Sequence, residues 1–245
     1  MTKKYAIIIF IILAGLGAVF LSRQKGDYQA PATIPSTSSP ALSNSAEKES
    51  AAKNKVLINV PFTSQAPTGN WSDPRQEDGC EEASVLMAWL WLQGKTITAT
   101  EAEKTIIAMS EFQLARYGSY HDTNAVDTAK FMKDYYGYEK VSVEMNPSIE
   151  DIKSALLKNH IVLVPMNGQR LNNPYFKQPG PTTHMLVIKG FDESKGIFIT
   201  NDPGTKRGES YTYTYQTVYN AMVDYPTGDH GSQEGRPKSI IVIEK

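Results

Sequence analysis

The sequence predicts an α+β fold in which a helical N-terminal half packs on a C-terminal antiparallel sheet. Helix-start signals, such as Ser or Thr followed three residues later by an acid, are concentrated between residues 80 and 158. After residue 160 the pattern changes to short apolar runs rich in Val and Ile, which are typical of strands. Helices first and strands afterwards is the order of an α+β domain.

The chain of 245 residues, 40% hydrophobic with a net charge of −1, has room for one sizeable domain and appendages. Residues 1–54 carry six Lys or Arg against three acids, whereas residues 55–245 carry 19 against 23. These counts predict a mildly acidic domain on a weakly basic N-terminal extension. A mildly acidic domain is not expected to bind nucleic acid. The single cysteine excludes an intramolecular disulfide, so an extracytoplasmic protein would keep this thiol for its reactivity.

The N-terminal 54 residues divide into two segments of different composition. Residues 5–21 are apolar and uncharged, flanked by lysines before and by Arg23 and Lys25 after. We expect residues 1–23 to form an uncleaved signal anchor or transmembrane helix with the domain outside the cell membrane, the alternative being secretion after signal cleavage. Residues 24–54, rich in Ser, Ala and Pro, are predicted to be a disordered tether. Residues 55–245 form the predicted domain.

The first half of that domain is predicted to hold one strand, at residues 55–62, and four helices. The helix that begins at Cys80 is apolar on every side and stops at Gly94. Three further helices are predicted over residues 98–114, 124–136 and 149–158, with caps at Thr98, at Asp122 or Thr123, and at Ser148.

The second half is predicted to form the sheet. Four runs rich in β-branched residues lie at residues 161–166, 185–191, 196–200 and 239–243. The turn at residues 192–196 would join the middle two as a hairpin. One more helix is expected over residues 216–223.

Cys80 is the candidate nucleophile. A thiol at a helix start faces unpaired backbone N–H groups and the positive end of the helix dipole, which favour the thiolate. The alternative is that Cys80 is a small core residue. Because its neighbours Gly79, Glu81 and Glu82 are polar, we expect it on the rim of the core.

The segment around Cys80 resembles the N-terminal motif of the C39-like cysteine peptidases of the papain-like superfamily. The matching residues are Val60-Pro61, Ser64-Gln65, Asn70-Trp71 and the run Gly79-Cys80-Glu81-Glu82-Ala83-Ser84. The resemblance extends from about Lys55 to the C-terminus and implies a papain-like peptidase fold. The bacteriocin-processing branch usually has Gly after the cysteine, where this chain has Glu81, so specificity for double-glycine leaders is not implied.

His184 is the candidate base, at the start of a predicted strand after a Pro-Gly-Pro-Thr-Thr loop. Asp202 comes eighteen residues later, at the end of the next strand, so a hairpin can bring the two together. Asp202 would then orient the imidazole toward Cys80. A His at a strand start with Asp-Pro at the next strand's end also resembles the C39-like pattern. Asn201 is the alternative orienter, because papain-like enzymes often use asparagine there.

The resemblance also implies an oxyanion hole built from the backbone N–H of the cysteine and an upstream glutamine. Gln65 follows the first strand as that glutamine does in C39-like members, and we favour it. Gln76, only four residues before Cys80, remains the alternative.

Four carboxylates lie close to Cys80 in sequence, namely Glu77, Asp78, Glu81 and Glu82. Acids suit a helix start, but they oppose thiolate formation, so an imidazolium at His184 would be needed to hold a thiolate. No second cysteine or His-Glu-x-x-His motif is present, and we expect neither a metal nor a cofactor.

These observations predict a membrane-tethered extracytoplasmic cysteine peptidase that hydrolyses peptide bonds with Cys80, His184, Asp202 and Gln65. Its partners would be a peptide or protein substrate and, through the N-terminal helix, the membrane. The alternatives are a cell-wall amidase or acyl transferase with the same dyad, and an inactive peptide-binding module on this fold. The oligomeric state is left open.

Overall fold

The computed structural model describes residues 54–228 and 230–245. The predicted signal anchor, residues 1–23, lies outside the described residues, as does all but the last residue of the predicted tether. Within the two described ranges, no helix has both the length and the hydropathy that a membrane span requires.

The described chain runs from one short strand through four helices into a mixed C-terminal half. The first half contains β1 (Lys55–Leu57), α1 (Pro74–Glu77), α2 (Cys80–Gln93), α3 (Ala99–Tyr117) and α4 (Ala125–Tyr136). The second half contains β2 (Val141–Met145), α5 (Ile149–Leu157), β3 (Ile161–Met166), β4 (His184–Asp192), β5 (Ile197–Asn201), β6 (Tyr211–Thr214), α6 (Tyr215–Ala221) and β7 (Ser239–Ile243). The predicted α+β fold, a helical N-terminal half on a C-terminal antiparallel sheet, is confirmed.

The strands form one antiparallel sheet in the order β2-β7-β3-β4-β5-β6, and β1 pairs with the end of β4. Strands β3, β4 and β7 are buried along their whole length. Gly190 marks a bulge in β4 where β1 approaches closely, since a Cβ atom there would lie 2.3 Å from the Val56 carbonyl oxygen. This glycine lets β1 join the sheet and lead directly into the loop that precedes Cys80.

Helix α2 packs against β4 and also contacts α3 and α4, which explains why it is apolar on all sides. Its C-terminus is closed by Gly94 in the left-handed conformation, as the sequence predicts. The capping boxes at Thr98 with Glu101 and at Ser148 with Asp151 are both present. Helix α2 therefore holds Cys80 between the sheet and the other helices.

Some predicted bounds were wrong. The cap of α4 is Asn124, whose side chain accepts a hydrogen bond from the Asp127 N–H, rather than Asp122 or Thr123. Only the first three residues of the predicted strand at 55–62 are in the sheet, because the chain turns away toward the active-site loop after Leu57. Strands β2 and β6 were not predicted from the sequence.

Candidate active site

Cys80 is the first residue of α2, and Gly79 is its N-cap. A Cβ atom at Gly79 would lie 2.7 Å from the Arg75 carbonyl oxygen, so the tight passage from α1 into α2 requires glycine. Cys80 is 5% exposed. The expectation that polar neighbours mark a solvated rim was wrong, because Glu81 and Glu82 are buried as deeply as the cysteine. The thiol lies at the buried floor of a cleft.

That cleft has a volume of about 940 Å³ and is lined by residues from both halves of the domain. Cys80 and Gln65 come from the helical half, and His184 comes from the first position of β4. Two half-exposed aromatic side chains, Trp71 and Tyr175, also line it. The fold therefore brings three of the four predicted site residues to one cavity.

His184 is hydrogen-bonded to Asp202, the fourth predicted site residue. His184 Nε2 lies 2.8 Å from Asp202 Oδ1, which leaves Nδ1 as the imidazole nitrogen that is not engaged by Asp202. Asp202 directly follows β5, the strand that pairs with β4, so the hairpin predicted from the sequence sets this contact. An aspartate held this way fixes the imidazole orientation and stabilises its cationic form.

Asp202 is fully buried and receives several hydrogen bonds. Burial alone would raise the pKa of Asp202. The His184 imidazole and the hydrogen bonds from Tyr213 and the Gly204 N–H outweigh burial and hold this pKa below its ordinary value. Its Oδ2 accepts from Tyr213 Oη at 2.6 Å and from Asn173 Nδ2 at 3.2 Å, and its Oδ1 accepts from the Gly204 N–H at 3.0 Å. Neither Tyr213 nor Asn173 was singled out from the sequence, because both lie outside the motifs.

Asn201, the alternative orienter, bonds to the backbone instead. Its Nδ2 donates to the carbonyl oxygens of Val60 and Pro61, each at 3.1 Å, and its Oδ1 accepts from the Ser210 N–H. These contacts anchor the segment between β1 and the active-site loop to the end of β5. The structure pairs His184 with Asp202 and gives Asn201 a different set of partners.

The two candidate glutamines occupy different environments. Gln65 lines the cleft, and its Nε2 donates to the Glu77 carbonyl oxygen at 2.6 Å. An amide nitrogen carries two hydrogens, so one remains for a ligand in the cleft. Gln76 is fully buried outside the cleft lining, and neither of its amide atoms has a hydrogen-bond partner among the described residues. The placement favours Gln65 for an oxyanion contact.

A family model described as the Peptidase_C39 like family matches residues 57–227. The chain belongs to this family. The match covers the helical half, most of the cleft lining and the β4–β5 hairpin, and it includes all four site residues predicted from the sequence.

Solved structures with low sequence identity also match the chain. A C39-like peptidase from Bacillus anthracis is 16% identical, with a TM-score of 0.48, covering 78% of this chain and 98% of its own. The Salmonella effector SpvD, as its R161 variant, is 12% identical with a TM-score of 0.33 over 85% and 95% of the two chains. Xylellain, a cysteine protease from Xylella fastidiosa, is 14% identical with a TM-score of 0.33 over 78% and 86%. No curated protein matches the chain.

In this member of the C39-like family the thiol is hydrogen-bonded to a neighbouring carboxyl group. Cys80 Sγ donates to Glu81 Oε2 at 3.0 Å. Burial, followed by the charges of Glu81, Asp78 and Asp122, raises the pKa of the Cys80 thiol well above its ordinary value. The helix start favours a thiolate, but burial and the surrounding carboxylates oppose it, in the direction that the sequence predicted for the acids near Cys80.

Three groups near the cleft offer atoms that a metal ion could bind. Asp78, Asp122 and His230 each supply one ligand atom, all within 4.8 Å of one another. Both carboxylates already bond to imidazoles, His121 Nδ1 to Asp78 and His230 Nδ1 to Asp122, each at 2.9 Å. These hydrogen bonds alone account for the arrangement, and the expectation of no metal stays a prediction. The side chains of His121 and His230 are about half-exposed, and each contacts a largely buried carboxyl group.

Proposed function

We propose that this chain is a cysteine peptidase in which Cys80 is the nucleophile, His184 the base, Asp202 the orienting carboxylate and Gln65 an oxyanion donor. One observation carries the proposal: an imidazole bonded through Nε2 to a fully buried carboxylate shares its cleft with a cysteine at a helix start. That combination is the arrangement that activates a thiol for attack on an amide.

In the proposed reaction the Cys80 thiol passes its proton to His184 Nδ1, and the thiolate attacks the carbonyl carbon of the scissile amide. The negative oxygen that forms is stabilised by the Cys80 backbone N–H and the second amide hydrogen of Gln65. The imidazolium then protonates the leaving amine, and a thioester to Cys80 remains. His184 then removes a proton from a water molecule, and the hydroxide attacks the thioester carbonyl carbon. The carboxylic acid is released, and His184 returns the proton to the Cys80 sulfur, which restores the thiol.

Membership in the C39-like family supports the reaction class, and the lining of the cleft supports a peptide substrate. Trp71 and Tyr175 present half-exposed rings to the cavity. Arg207 lies over the Tyr175 ring at 4.8 Å, which holds that aromatic side chain at the entrance. An extended peptide crossing the cleft would pack on these rings while its carbonyl group approaches Cys80.

The direct test is digestion of a peptide mixture by the full-length protein in detergent, followed by mass spectrometry. We expect fragments with new α-amino and carboxyl ends from the wild-type protein and none from Cys80→Ser, because a neutral hydroxyl cannot replace the thiolate. Fragments that persist in Cys80→Ser would overturn the assignment of the nucleophile. Cleavage of only non-peptide amides, or acyl transfer without hydrolysis, would replace the peptidase with an amidase or a transferase.

We further propose that residues 5–21 anchor the protein in the cell membrane with the peptidase domain outside. The length and apolar composition of this run support an anchor, and the Ser, Ala and Pro-rich residues 24–54 support a flexible connection. We expect the protein to stay in the membrane fraction after a carbonate wash, and protease added to intact cells to cut within residues 24–54. If the added protease cut the tether only after cell lysis, the orientation would be the reverse of the proposed one. If the domain were released without added protease, the N-terminal segment would be a cleaved signal.

A further inference from the structure

Glu81 is the group that contacts the thiol most directly, and nothing in the proposed reaction uses it. Its Oε2 accepts the Cys80 hydrogen bond. Its Oε1 accepts from Tyr225 Oη at 2.6 Å and from the Thr123 backbone N–H at 3.1 Å. Glu81 is 2% exposed and Tyr225 is fully buried, so the carboxyl group is held in one orientation by elements on two sides. That orientation directs one oxygen at Sγ.

The surroundings of Glu81 are unusually acidic for a buried carboxyl group. Burial, followed by the charges of Asp78 and Asp122, raises the pKa of Glu81 to about 7. Cys80 and Glu82 face it from its own helix, Asp78 from the segment before α2, Asp122 from the loop before α4, and Tyr225 from the chain after α6. His121 and His230 stand one step further out, bonded to Asp78 and Asp122. Glu81 therefore changes charge within the range of pH in which a thiol–imidazole pair operates.

The two protonation states of Glu81 act on the thiol in opposite ways. The carboxylate accepts the thiol proton and repels a thiolate, so it keeps the proton on sulfur and away from His184. The neutral carboxylic acid has one O–H, which can donate to a thiolate sulfur, and it carries no repelling charge. In that state the thiol proton can move to His184, and the resulting thiolate gains a donor.

We propose that Glu81 is a positioning residue that holds the Cys80 thiol neutral when ionised and favours proton transfer to His184 when it is itself protonated. The inference rests on the proposed role of Cys80 and adds a pH-dependent control of that nucleophile. It predicts a peptidase whose thiol becomes more readily activated as the surroundings become mildly acidic.

The test compares the rate at which iodoacetamide alkylates Cys80 in the wild-type protein and in Glu81→Gln across a series of pH values. Glutamine keeps the size and the acceptor of glutamate but is never charged, and its amide can donate to sulfur. At about pH 8 we expect Glu81→Gln to react about tenfold faster, and at about pH 5.5 the two rates to agree within about threefold, because one pKa unit changes the thiolate fraction tenfold. The only cysteine is Cys80, so the label reports one site.

Glu82→Gln is the matched control. Glu82 is the next residue of the same helix, equally buried, and its Oε1 accepts from Gln113 Nε2 and Ser110 Oγ rather than from the thiol. We expect its alkylation profile to follow the wild-type profile. If Glu82→Gln reproduced the effect of Glu81→Gln, a general change in the buried carboxyl groups of α2 would explain the result, and the specific role of Glu81 would be refuted.

A second variant keeps the proposal testable if Glu81→Gln disturbs folding, which thermal unfolding would show. Tyr225→Phe removes the hydroxyl that donates to the Glu81 carboxylate, so the pKa of Glu81 should rise and the pH dependence of alkylation should move to higher pH. The proposal would be overturned if the ratio of the Glu81→Gln rate to the wild-type rate did not change with pH. It would also be overturned if the pH dependence of alkylation in Tyr225→Phe matched that of the wild type. Alkylation needs no substrate, so this result stands apart from any failure to find peptide cleavage.

Discussion

Adjacent side chains at the end of β5 serve different purposes, as their hydrogen bonds show. Asp202 bonds to the His184 imidazole, whereas Asn201 bonds to the backbone of residues 60, 61 and 210. Sequence alone could not separate them, since either residue type can orient a histidine.

This contrast predicts different consequences for two neighbouring alanine substitutions. Asp202→Ala should lower kcat by about a hundredfold or more, because the imidazole loses the partner that orients it and stabilises its charge. Asn201→Ala should instead lower the free energy of unfolding by about 1–3 kcal/mol, because the buried Val60 carbonyl oxygen and the partly buried Pro61 carbonyl oxygen lose their donor. Steady-state kinetics and urea unfolding of both variants check this. A larger kcat loss in Asn201→Ala than in Asp202→Ala would reverse the assignment.

The two candidate oxyanion glutamines, Gln65 and Gln76, permit a similar comparison. Gln65→Ala should reduce kcat by about a hundredfold, the usual cost of losing one oxyanion donor, with little change in KM. Gln76→Ala removes a buried amide outside the cleft lining and should leave kcat within about threefold of the wild type, any effect of the lost amide being on stability. Equal kcat losses in both variants would remove Gln65 from the oxyanion hole.

Glu81 shows where residue-level prediction from the sequence reaches its limit. Acids after Cys80 were expected to stabilise the helix start, and that expectation needs only their position along the chain. The contact of Glu81 with the thiol depends on Tyr225, which lies 144 residues away and bonds its other oxygen. Tertiary packing of this kind leaves no periodic signal in the sequence.

At the scale of elements, predictions were best where a strong local signal exists. The capping boxes, the Gly94 stop and the hairpin turn at residues 192–196 are short-range features and were all found. Strands β2 and β6 were missed because they are edge strands with only partial burial. Their sequences, VSVEM and YTYT, alternate with polar residues and lack a continuous apolar run. Missing β6 also hid Tyr213 as a partner of Asp202.

The loop after β5 presses closely on the imidazole, which leads to a prediction about Gly204. A Cβ atom there would lie 2.9 Å from His184 Cε1 and 2.8 Å from Phe176 Cε1, so Gly204→Ala must displace these rings or the loop itself. We expect kcat to fall about ten- to a hundredfold, since small misplacements of a catalytic group are costly. Crystal structures and kinetics of the variant would show the displacement and its effect.

Gly196→Ala is the control for this prediction. Gly196 has a φ of +63° in the hairpin turn, and a Cβ atom there has no neighbour within 4 Å. Its substitution should cost about 1 kcal/mol of stability from backbone strain and leave kcat unchanged. Wild-type kcat in Gly204→Ala would show that the loop yields instead of the imidazole.

For the whole domain, the buried acids near Cys80 make stability depend on pH. The pKa of Glu81 is raised from 4.5 to about 7 and that of Asp78 from 3.8 to about 6, in both cases chiefly by burial. A raised folded-state pKa gives stability that is present below the unfolded pKa and lost as the pH rises through the folded value. Asp202, whose pKa is lowered, acts oppositely and gives stability that is lost only as the pH falls below about 4.

The domain should therefore be most stable in mild acid. From about pH 5 to about pH 8 we expect the free energy of unfolding to fall by at least about 3 kcal/mol, from Glu81 and Asp78 together with Glu82, whose pKa burial raises well above its ordinary value. Urea unfolding at a series of pH values measures this, and Glu81→Gln should show a shallower decline. Stability that rises steadily from pH 5 to pH 8 would show that these carboxyl groups are ionised at little cost in the folded state.

The central claim is that Cys80 and His184 form one reacting pair, and alkylation of Cys80 in His184→Ala tests it most directly. Without the imidazole the thiol loses the group that takes its proton and stabilises the thiolate against the surrounding carboxylates, so we expect alkylation near pH 7 to slow by about tenfold or more, together with a loss of turnover. His160→Ala is the control, since His160 lies between α5 and β3 outside the cleft lining, and its rates should match those of the wild type. Unchanged alkylation of Cys80 in His184→Ala would contradict the claim.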